Sequence, residues 1–352
     1  MAADEKIIIA CTAPHHGGGL GQHFSYFVEL ARSQGKLLSY FTPRPKPQDA
    51  AGVRVVDAVT PWLMRYTPLR FYPGAISHRI NEQFDKAVAK LLPRPESACV
   101  FMGFNGQALR CFQRARDLGY SRLEIIAGNS HVLNVRRQHE LAFKAYPIEK
   151  SWLSSAQVKK TLREYEMADV IHVPSEYTRQ TFLKEGFPQQ RLSRIHYPPD
   201  PRFVPPARKP ADGVFRIVYC GTLSVFKGVP VLIEAFGKLR DSRARLTLVG
   251  GSGTRGMRRY LERALAADPR IQIKPGDPLP HLQQADVYVH PSYEDNLPYA
   301  AAEAHACGLT MILTENTGMK EFIRPGENGL VVPTGNVDAL YQSLQALRPN
   351  QP

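Results

Sequence analysis

Short apolar segments alternate along the chain with longer stretches in which apolar positions recur at the spacing of a helix. The apolar segments of the first half lie at 6–10, 37–41, 53–56, 99–101, 123–127 and 192–196. Those of the second half lie at 215–219, 246–249, 271–274, 287–290 and 310–313. Between them lie amphipathic stretches typical of helices, including 22–33, 76–92, 107–118 and 337–347. This alternation predicts an α/β protein with doubly wound parallel sheets.

A proline-rich segment divides the pattern into two halves. Six prolines lie between positions 198 and 210 of the 352-residue chain. Proline cannot continue a helix, and several prolines close together make a stiff connection. We therefore predict two Rossmann-like domains, an N-terminal one over 1–200 and a C-terminal one over 201–352.

Composition favours a cytoplasmic protein. The five cysteines, at 11, 99, 111, 220 and 307, are scattered and lack CxxC spacing, which fits a reducing compartment and argues against a zinc site or disulfides. No apolar run approaches the ~18 residues of a membrane span. Asp4 and Glu5 precede a short apolar run, which is not the pattern of a signal peptide.

The basic excess is concentrated in the first half. Residues 1–205 carry 28 Lys and Arg against 18 Asp and Glu, whereas residues 206–352 carry 17 against 14. Such an excess attracts anionic partners, although it also serves simple solubility. The stretch 61–73 adds Trp62, Arg65, Arg70 and Tyr72, a mixture that suits a membrane interface or a lipid-linked acceptor and equally suits a loop packed on the core.

The most specific pattern lies at 287–308. An apolar run ends at Pro291 and Ser292, an acidic loop follows, and an Ala-rich helix predicted from Pro298 ends at Gly308. Ligands of open α/β sheets bind outside the carboxyl ends of strands. Glu303 lies in that helix among alanines, and its two acceptor oxygens suit the adjacent hydroxyls of a ribose. A solvated helix glutamate is the alternative.

This stretch, PSYEDNLPYAAAEAHACGLTMI, resembles the signature PSxxEGFGLPxxEAxACGxPVV of the retaining, family-4 nucleotide-sugar glycosyltransferases of the GT-B fold. The resemblance implies two Rossmann-like domains facing a cleft. The two acids of the family stand eight positions apart, so Asp295 is the counterpart of the first acid, which touches the donor sugar, and Glu294 is the competing candidate. Asn296 and Leu297 fall within the same donor-binding loop.

A second region of resemblance begins at Gly221. The family pattern G-R-L-x-x-x-K-G matches at Gly221, Leu223, Lys227 and Gly228, which implies that Lys227 binds the donor diphosphate and offsets its developing charge. Thr222 stands where the family usually has Arg. Arg255 follows the next Gly-rich turn, and we name it as a possible substitute.

The resemblance implies further contacts with the donor. Gly17, Gly18 and Gly19 follow the first strand, in a turn that suits a phosphate but does not make GxGxxG. Gly253 and Gly276 lie in loops after two strands of the second half, and the second of these loops holds the base in the family. The family also places a histidine against the donor sugar; His131 is the first candidate here and His139 the second.

The implied activity is transfer of a sugar from a nucleoside diphosphate to an acceptor hydroxyl with retention of configuration. The acceptor is expected to be a glycan or a lipid-linked one, as in cell-envelope polysaccharide synthesis. The sequence contains no DxD motif, so we expect neither a metal nor a cofactor. Catalytic roles are expected for His131, Lys227 and Glu303. The protein is expected to be a monomer or a weak dimer, with at most peripheral contact at the inner face of the membrane.

Two rival interpretations remain open. Thr222, Asp295 and the single helix after position 333 are compatible with a degenerate transferase that binds a nucleotide sugar without turnover. The positive charge is compatible with nucleic-acid binding, but the sequence has no recognition helix or RNA-binding motif, so no nucleic acid is expected.

Overall fold

The computed structural model describes residues 5–16, 18–55, 67 and 72–348. The chain forms two compact units, of which the first comprises Met1–Arg136 with Lys150–Tyr197 and the second comprises Arg137–Glu149 with Pro198–Pro352. The segment 137–149 therefore belongs to the second unit, although the predicted boundary near the prolines assigned it to the first domain. Gly17 and most of the aromatic stretch 61–73 lie outside the described residues.

The first unit is built on a parallel sheet of seven described strands in the order β3-β2-β1-β4-β5-β6-β7. These strands are β1 (Lys6–Ala10), β2 (Leu37–Thr42), β3 (Gly52–Arg54), β4 (Cys99–Phe104), β5 (Arg122–Ile126), β6 (Val170–Val173) and β7 (Leu192–Arg194). The helices between them are α1 (Gly18–Ser33), α2 (Pro73–Leu91), α3 (Leu109–Leu118), α4 (Val132–Ala145), α5 (Ser155–Met167) and α6 (Glu176–Lys184).

Apolar side chains cover both faces of this sheet. Ile8 and Phe101 belong to one buried cluster, whereas Ile9 and Met102 belong to another. Because successive residues of a strand point to opposite faces, the two clusters lie on opposite sides of the sheet. This explains why the strands read as continuous apolar runs and confirms the predicted doubly wound class.

Two buried acids hold the beginning of α3. Glu164 accepts hydrogen bonds from the backbone amides of Gly106, Ala108 (2.9 Å) and Leu109 (3.0 Å). Asp85 accepts from Arg110 N and Cys111 N, both at 2.9 Å, and also pairs with Lys160 Nζ at 2.6 Å. The first amides of a helix have no partner within the helix, and carboxylates satisfy them here. Glu164 thus caps the beginning of α3 from a neighbouring helix.

The second unit has a parallel sheet of six described strands in the order β10-β9-β8-β11-β12-β13. These strands are β8 (Phe215–Cys220), β9 (Ala244–Val249), β10 (Ile271–Lys274), β11 (Val287–His290), β12 (Thr310–Thr314) and β13 (Gly329–Val332). The accompanying helices are α7 (Val229–Lys238), α8 (Arg255–Ala267), α9 (Leu279–Gln284), α10 (Tyr299–Ala306) and α11 (Val337–Ala346).

The helix of the 287–308 stretch ends as predicted and begins one residue later. Pro298 is the residue before α10 rather than within it, and Gly308 follows the helix with a φ of 73°. That left-handed conformation favours glycine and stops the helix. Within the described ranges, no helix is both long and apolar enough to span a membrane.

Candidate functional site

Three strands of the second sheet end side by side. β8 pairs with β9 as far as Cys220 and Val249, and it also pairs with β11 at Ile217 and Val287. Because all three strands are parallel, the loops 221–228, 250–254 and 291–298 leave the sheet at the same edge. That edge is where an open α/β sheet binds its ligand.

Lys227 and Asp295 form an ion pair between two of these loops. Lys227 Nζ lies 2.5 Å from Asp295 Oδ2, and His290 Nε2 lies 3.0 Å from the same oxygen. His290 is buried, with Ser292 Oγ 3.1 Å from its Nε2 and Tyr288 Oη 3.2 Å from its Nδ1. The carboxylate of Asp295 is thus held by two nitrogen-bearing side chains at the strand ends.

Lys227 and His290 keep Asp295 ionised. Burial by itself would raise the pKa of this carboxyl, but Lys227 and His290 together hold the pKa well below its usual range. Its Oδ1 makes no hydrogen bond with any described residue, so this oxygen can accept from a ligand hydroxyl. The backbone of Asp295 is fixed as well, because its amide donates to Asn316 O at 3.0 Å and its carbonyl accepts from Gly318 N at 3.0 Å.

Close backbone approaches require glycine in two of the loops. A Cβ on Gly228 would lie 1.9 Å from Pro291 O, and one on Gly250 would lie 2.0 Å from Gly221 O. Both glycines also have positive φ, of 69° and 143°. Any larger residue would push the loops apart and carry Lys227 away from Asp295.

Glu303 is a buried acid that has no hydrogen-bonding partner among the described residues. Its residue exposure is 6%, and no hydrogen bond or ion pair joins its carboxylate to the described part of the chain. Burial raises the pKa of Glu303 to about 7, with Arg202 opposing that shift and Asp200 and Asp277 adding to it. A carboxylate that burial largely desolvates and that no described residue bonds is suited to accept from a ligand.

Arg202 and Asp277 form a two-point ion pair close to this acid. Arg202 donates to both carboxylate oxygens of Asp277, at 2.7 and 2.9 Å. The pair joins the proline-rich segment to the loop after β10, where the resemblance expects the base of the donor. Gly276 lies in the same loop with a φ of 116°, and a Cβ added to it would meet nothing within 4 Å.

The remaining residues of the acidic loop are buried. Glu294 is fully buried, whereas Asp295 retains 8% exposure next to Lys227. Asn296 Oδ1 accepts from Leu297 N at 2.7 Å, and both of these residues are buried. Of the two candidate acids, Asp295 is therefore the one that contacts Lys227, although donor contact at any of these four positions stays a prediction.

The two candidate histidines lie in different units. His131 is buried in the first unit against the rings of Tyr165 and Phe182, at centroid distances of 5.1 and 5.0 Å. His139 belongs to the second unit, and its ring lies 4.1 Å from that of Phe226, the neighbour of Lys227. Burial and, to a lesser degree, Lys227 lower the pKa of His139 to about 3, so its imidazole is neutral.

The residues predicted around the phosphates are exposed. Thr222 and Arg255 both have exposed side chains, and a Cβ on Gly253 would meet nothing within 4 Å. The carbonyl of Thr222 accepts from Tyr219 Oη at 2.9 Å, which fixes the turn while leaving its side chain outside. In the first unit, Gly18 and Gly19 are also exposed at the beginning of α1, whereas Gly17 is not described.

Three residues of the site region escaped the sequence reasoning. In the sequence, His290 was only the last residue of an apolar strand. Arg202 was part of a proline-rich connection, and Glu149 was assigned to the first domain. Glu149 accepts from Val225 N at 2.6 Å and from the Thr254 hydroxyl, and so joins two of the three loops. The sequence shows these residues only as charged or titratable side chains near a motif, and such residues are too common to indicate a site.

A family model described as glycosyl transferases group 1 matches residues 214–350. A D-inositol 3-phosphate glycosyltransferase from Pseudarthrobacter chlorophenolicus is 32% identical over 146 residues, which are 38% of this chain and 34% of that protein. The chain thus matches about a third of the length of this relative. The family-model match covers the half of the chain that carries Lys227, Asp295 and Glu303.

Solved structures match over nearly the whole chain. Sucrose-phosphate synthase from Thermosynechococcus elongatus has a TM-score of 0.72 and 17% identity, covering 98% of this chain and 89% of that one. WaaG, a glycosyltransferase involved in lipopolysaccharide biosynthesis, has a TM-score of 0.71 and 16% identity, covering 98% and 90%. At such identities the likeness concerns the fold, and it confirms the predicted GT-B class of two parallel-sheet α/β domains.

Proposed function

Because a family model described as glycosyl transferases group 1 matches residues 214–350, we propose that this protein transfers a sugar from a nucleoside-diphosphate sugar to an acceptor hydroxyl. The observation that carries the proposal is the grouping of Lys227, Asp295 and His290 at the strand ends, in the same unit as Glu303, a buried acid without a hydrogen bond to any described residue. Such a donor requires a cation for its diphosphate, an acceptor for a hydroxyl of its sugar and an acceptor for the hydroxyls of its ribose.

Each side chain has a definite task in this proposal. Lys227 binds the diphosphate and offsets the charge that develops on it as the bond to the sugar breaks. The free oxygen of Asp295 accepts from a hydroxyl of the donor sugar. Glu303 accepts from the ribose hydroxyls, which supply the hydrogen bonds that no described residue gives it.

The proposed reaction retains the anomeric configuration and uses no metal. The bond between the anomeric carbon and the phosphate oxygen breaks, the acceptor oxygen forms its new bond on the same face, and its proton passes to the leaving phosphate. Positive charge comes from Lys227 and from backbone amides at helix beginnings. Addition of a chelator is therefore expected to leave the rate unchanged.

The acceptor is proposed to be a glycan or a lipid-linked glycan. WaaG, which has the same fold, is described as acting in lipopolysaccharide biosynthesis. The basic first half of the chain fits an acceptor that carries phosphate. The cytoplasm, with peripheral contact at the membrane, is the location that fits these features.

The test is a thermal-shift screen of the purified protein against UDP-, GDP- and ADP-sugars, followed by measurement of nucleoside diphosphate release. Stabilisation by one of these donors together with its turnover supports the proposal. A second candidate is a nucleotide-sugar-binding protein without turnover, which the missing arginine at Thr222 favours. If a donor binds but no nucleoside diphosphate is released with any acceptor, that candidate is supported. If none of the donors binds, both candidate functions are excluded.

A further inference from the structure

The segment 137–149 is attached to the second unit by several specific contacts. The ring of His139 packs on Phe226 at 4.1 Å, and Tyr146 Oη donates to Glu234 Oε2 at 2.9 Å. A Cβ on Gly256 would lie 2.0 Å from Ile148 O, so the beginning of α8 touches the backbone of this segment. The chain returns to the first unit immediately afterwards, at Lys150.

Glu149, the last residue of the segment, joins two loops of the candidate site through one carboxylate. Its Oε2 accepts from Val225 N at 2.6 Å, and its Oε1 accepts from Thr254 Oγ1. Val225 lies two positions before Lys227, and Thr254 directly precedes Arg255. Thr254 also caps α8, because its hydroxyl oxygen accepts from Met257 N at 3.2 Å.

We propose that Glu149 is a positioning residue, which fixes the loops 221–228 and 250–254 relative to each other and thereby sets the place of Lys227. The role in donor binding rests on the proposed function. The physical reason is that three of the five residues of the loop 250–254 are glycines, so ordering this loop costs conformational entropy, and Glu149 ties it to the loop 221–228, which its own buried side chains anchor. Hydrogen bonds to a charged carboxylate are stronger than neutral ones, and here a single group supplies one to each loop.

Two variants and a matched control test this role. Glu149→Ala removes both acceptors and is expected to raise the KM for the donor about tenfold or more, with a smaller effect on kcat. Glu149→Gln should recover much of that loss, because its amide oxygen can still accept from Val225 N while its NH2 donates to Thr254 Oγ1. Glu234→Gln is the control: it weakens the Tyr146 contact of the same segment without touching either loop, and its KM should be unchanged.

Amide hydrogen exchange without donor separates this inference from the proposed function. Glu149→Ala should speed exchange of the 221–228 amides at least tenfold, whereas Glu234→Gln should not. Unchanged exchange in Glu149→Ala would overturn the positioning role whatever the activity. Faster exchange in a protein that binds no nucleotide sugar would support the positioning role and defeat only the proposed function. If Glu149→Ala does not fold, the same comparison is made on Glu149→Met, which also removes both acceptors but keeps most of the side-chain volume, and an unchanged rate there would contradict the role.

Discussion

Lys227 donates to Asp295 across 68 residues of sequence, with 2.5 Å between Nζ and Oδ2. The pair joins the loop after β8 to the loop after β11, and His290 contacts the same carboxylate oxygen. A donor diphosphate would therefore meet a cation that already has a carboxylate partner. The ion pair orients Lys227 before binding, and it also lowers the net positive charge that the site offers.

The first prediction concerns the free energy of unfolding. Lys227→Met and Asp295→Asn should each destabilise the protein by on the order of 2 kcal/mol, because each leaves its partner in a poorly solvated place. The double variant should lose less than the sum of the two, with a coupling of about 1–3 kcal/mol. Urea unfolding of the unchanged protein, the two single variants and the double variant measures this coupling.

Lys238→Met is the matched control for that cycle. Lys238 pairs with Asp338 at the surface, and such exposed pairs contribute little, so the change should stay within about 0.5 kcal/mol. If the coupling energy between Lys227 and Asp295 does not exceed about 0.5 kcal/mol, the ion pair does not organise the loops.

Glu303→Gln should stabilise the protein at pH 8 while weakening donor binding. The pKa of Glu303 is raised from 4.5 to about 7 in the folded protein, so folding favours its protonated form. The penalty for the ionised acid grows as the pH rises from about 4.5 to 7 and is about 3 kcal/mol above that range. Glutamine removes the penalty, so urea unfolding should show a much larger gain at pH 8 than at pH 5.

The same acid gives donor binding a pH dependence. Because the ribose needs the carboxylate, donor affinity should fall roughly tenfold for each pH unit below about 7, and at pH 8 the glutamine variant should lose roughly 1.5–3 kcal/mol of binding. Glu327→Gln, a change at an exposed acid that pairs with Arg324, is the control and should alter neither quantity. If Glu303→Gln and the unchanged protein bind the donor with equal affinity at pH 8, Glu303 does not contact the ribose.

Much of the fold could be predicted because its cause is local. Strands buried on both faces read as continuous apolar runs, and Gly308 marks the end of α10 by its left-handed conformation. The assignment of 137–149 to the second unit could not be predicted. α4 is one continuous helix, and nothing in its pattern indicates that His139 packs on Phe226 rather than on the first unit.

Candidate site residues could be named from the sequence only where a motif carries them. The resemblance pointed to Lys227, Asp295 and Glu303, whereas the contacts that bring Lys227 to Asp295 join distant loops. His290 illustrates the difference: an imidazole at the end of an apolar strand looks like a core residue until Asp295 is seen 3.0 Å away. Glu149 has no motif at all, and only the tertiary structure brings it to Val225.

Thr222→Arg tests the missing second cation. The side chain of Thr222 is exposed and its carbonyl is held by Tyr219, so the fold should tolerate arginine there. If no other group fills the place, the new guanidinium should tighten nucleoside diphosphate binding about tenfold in calorimetry.

Arg255→Ala is the companion change. If Arg255 already serves as the second cation, this variant should weaken diphosphate binding and Thr222→Arg should help little. Arg258→Ala, at an exposed position of the same helix, is the control. If neither Thr222→Arg nor Arg255→Ala changes the affinity, the diphosphate does not lie at this end of the loops.

The basic first half predicts weak, salt-sensitive binding to anionic vesicles. Each Lys or Arg near such a surface contributes about 1 kcal/mol, and the attraction fades within a Debye length. Sedimentation with phosphatidylserine vesicles should recover more protein in the pellet at low than at high salt. Replacing Arg65 and Arg70 by glutamine should reduce that fraction. Equal recovery with neutral and anionic vesicles at low salt would favour a soluble acceptor.

The central claim is that the donor diphosphate binds at Lys227 in the second unit. Calorimetric titration of the preferred nucleotide sugar into the unchanged protein, Lys227→Met and Lys238→Met at pH 8 tests it most directly. The account predicts binding to the unchanged protein and to Lys238→Met with equal affinity, and a loss of roughly 1.5–3 kcal/mol in Lys227→Met. Equal affinity in all three proteins would contradict it.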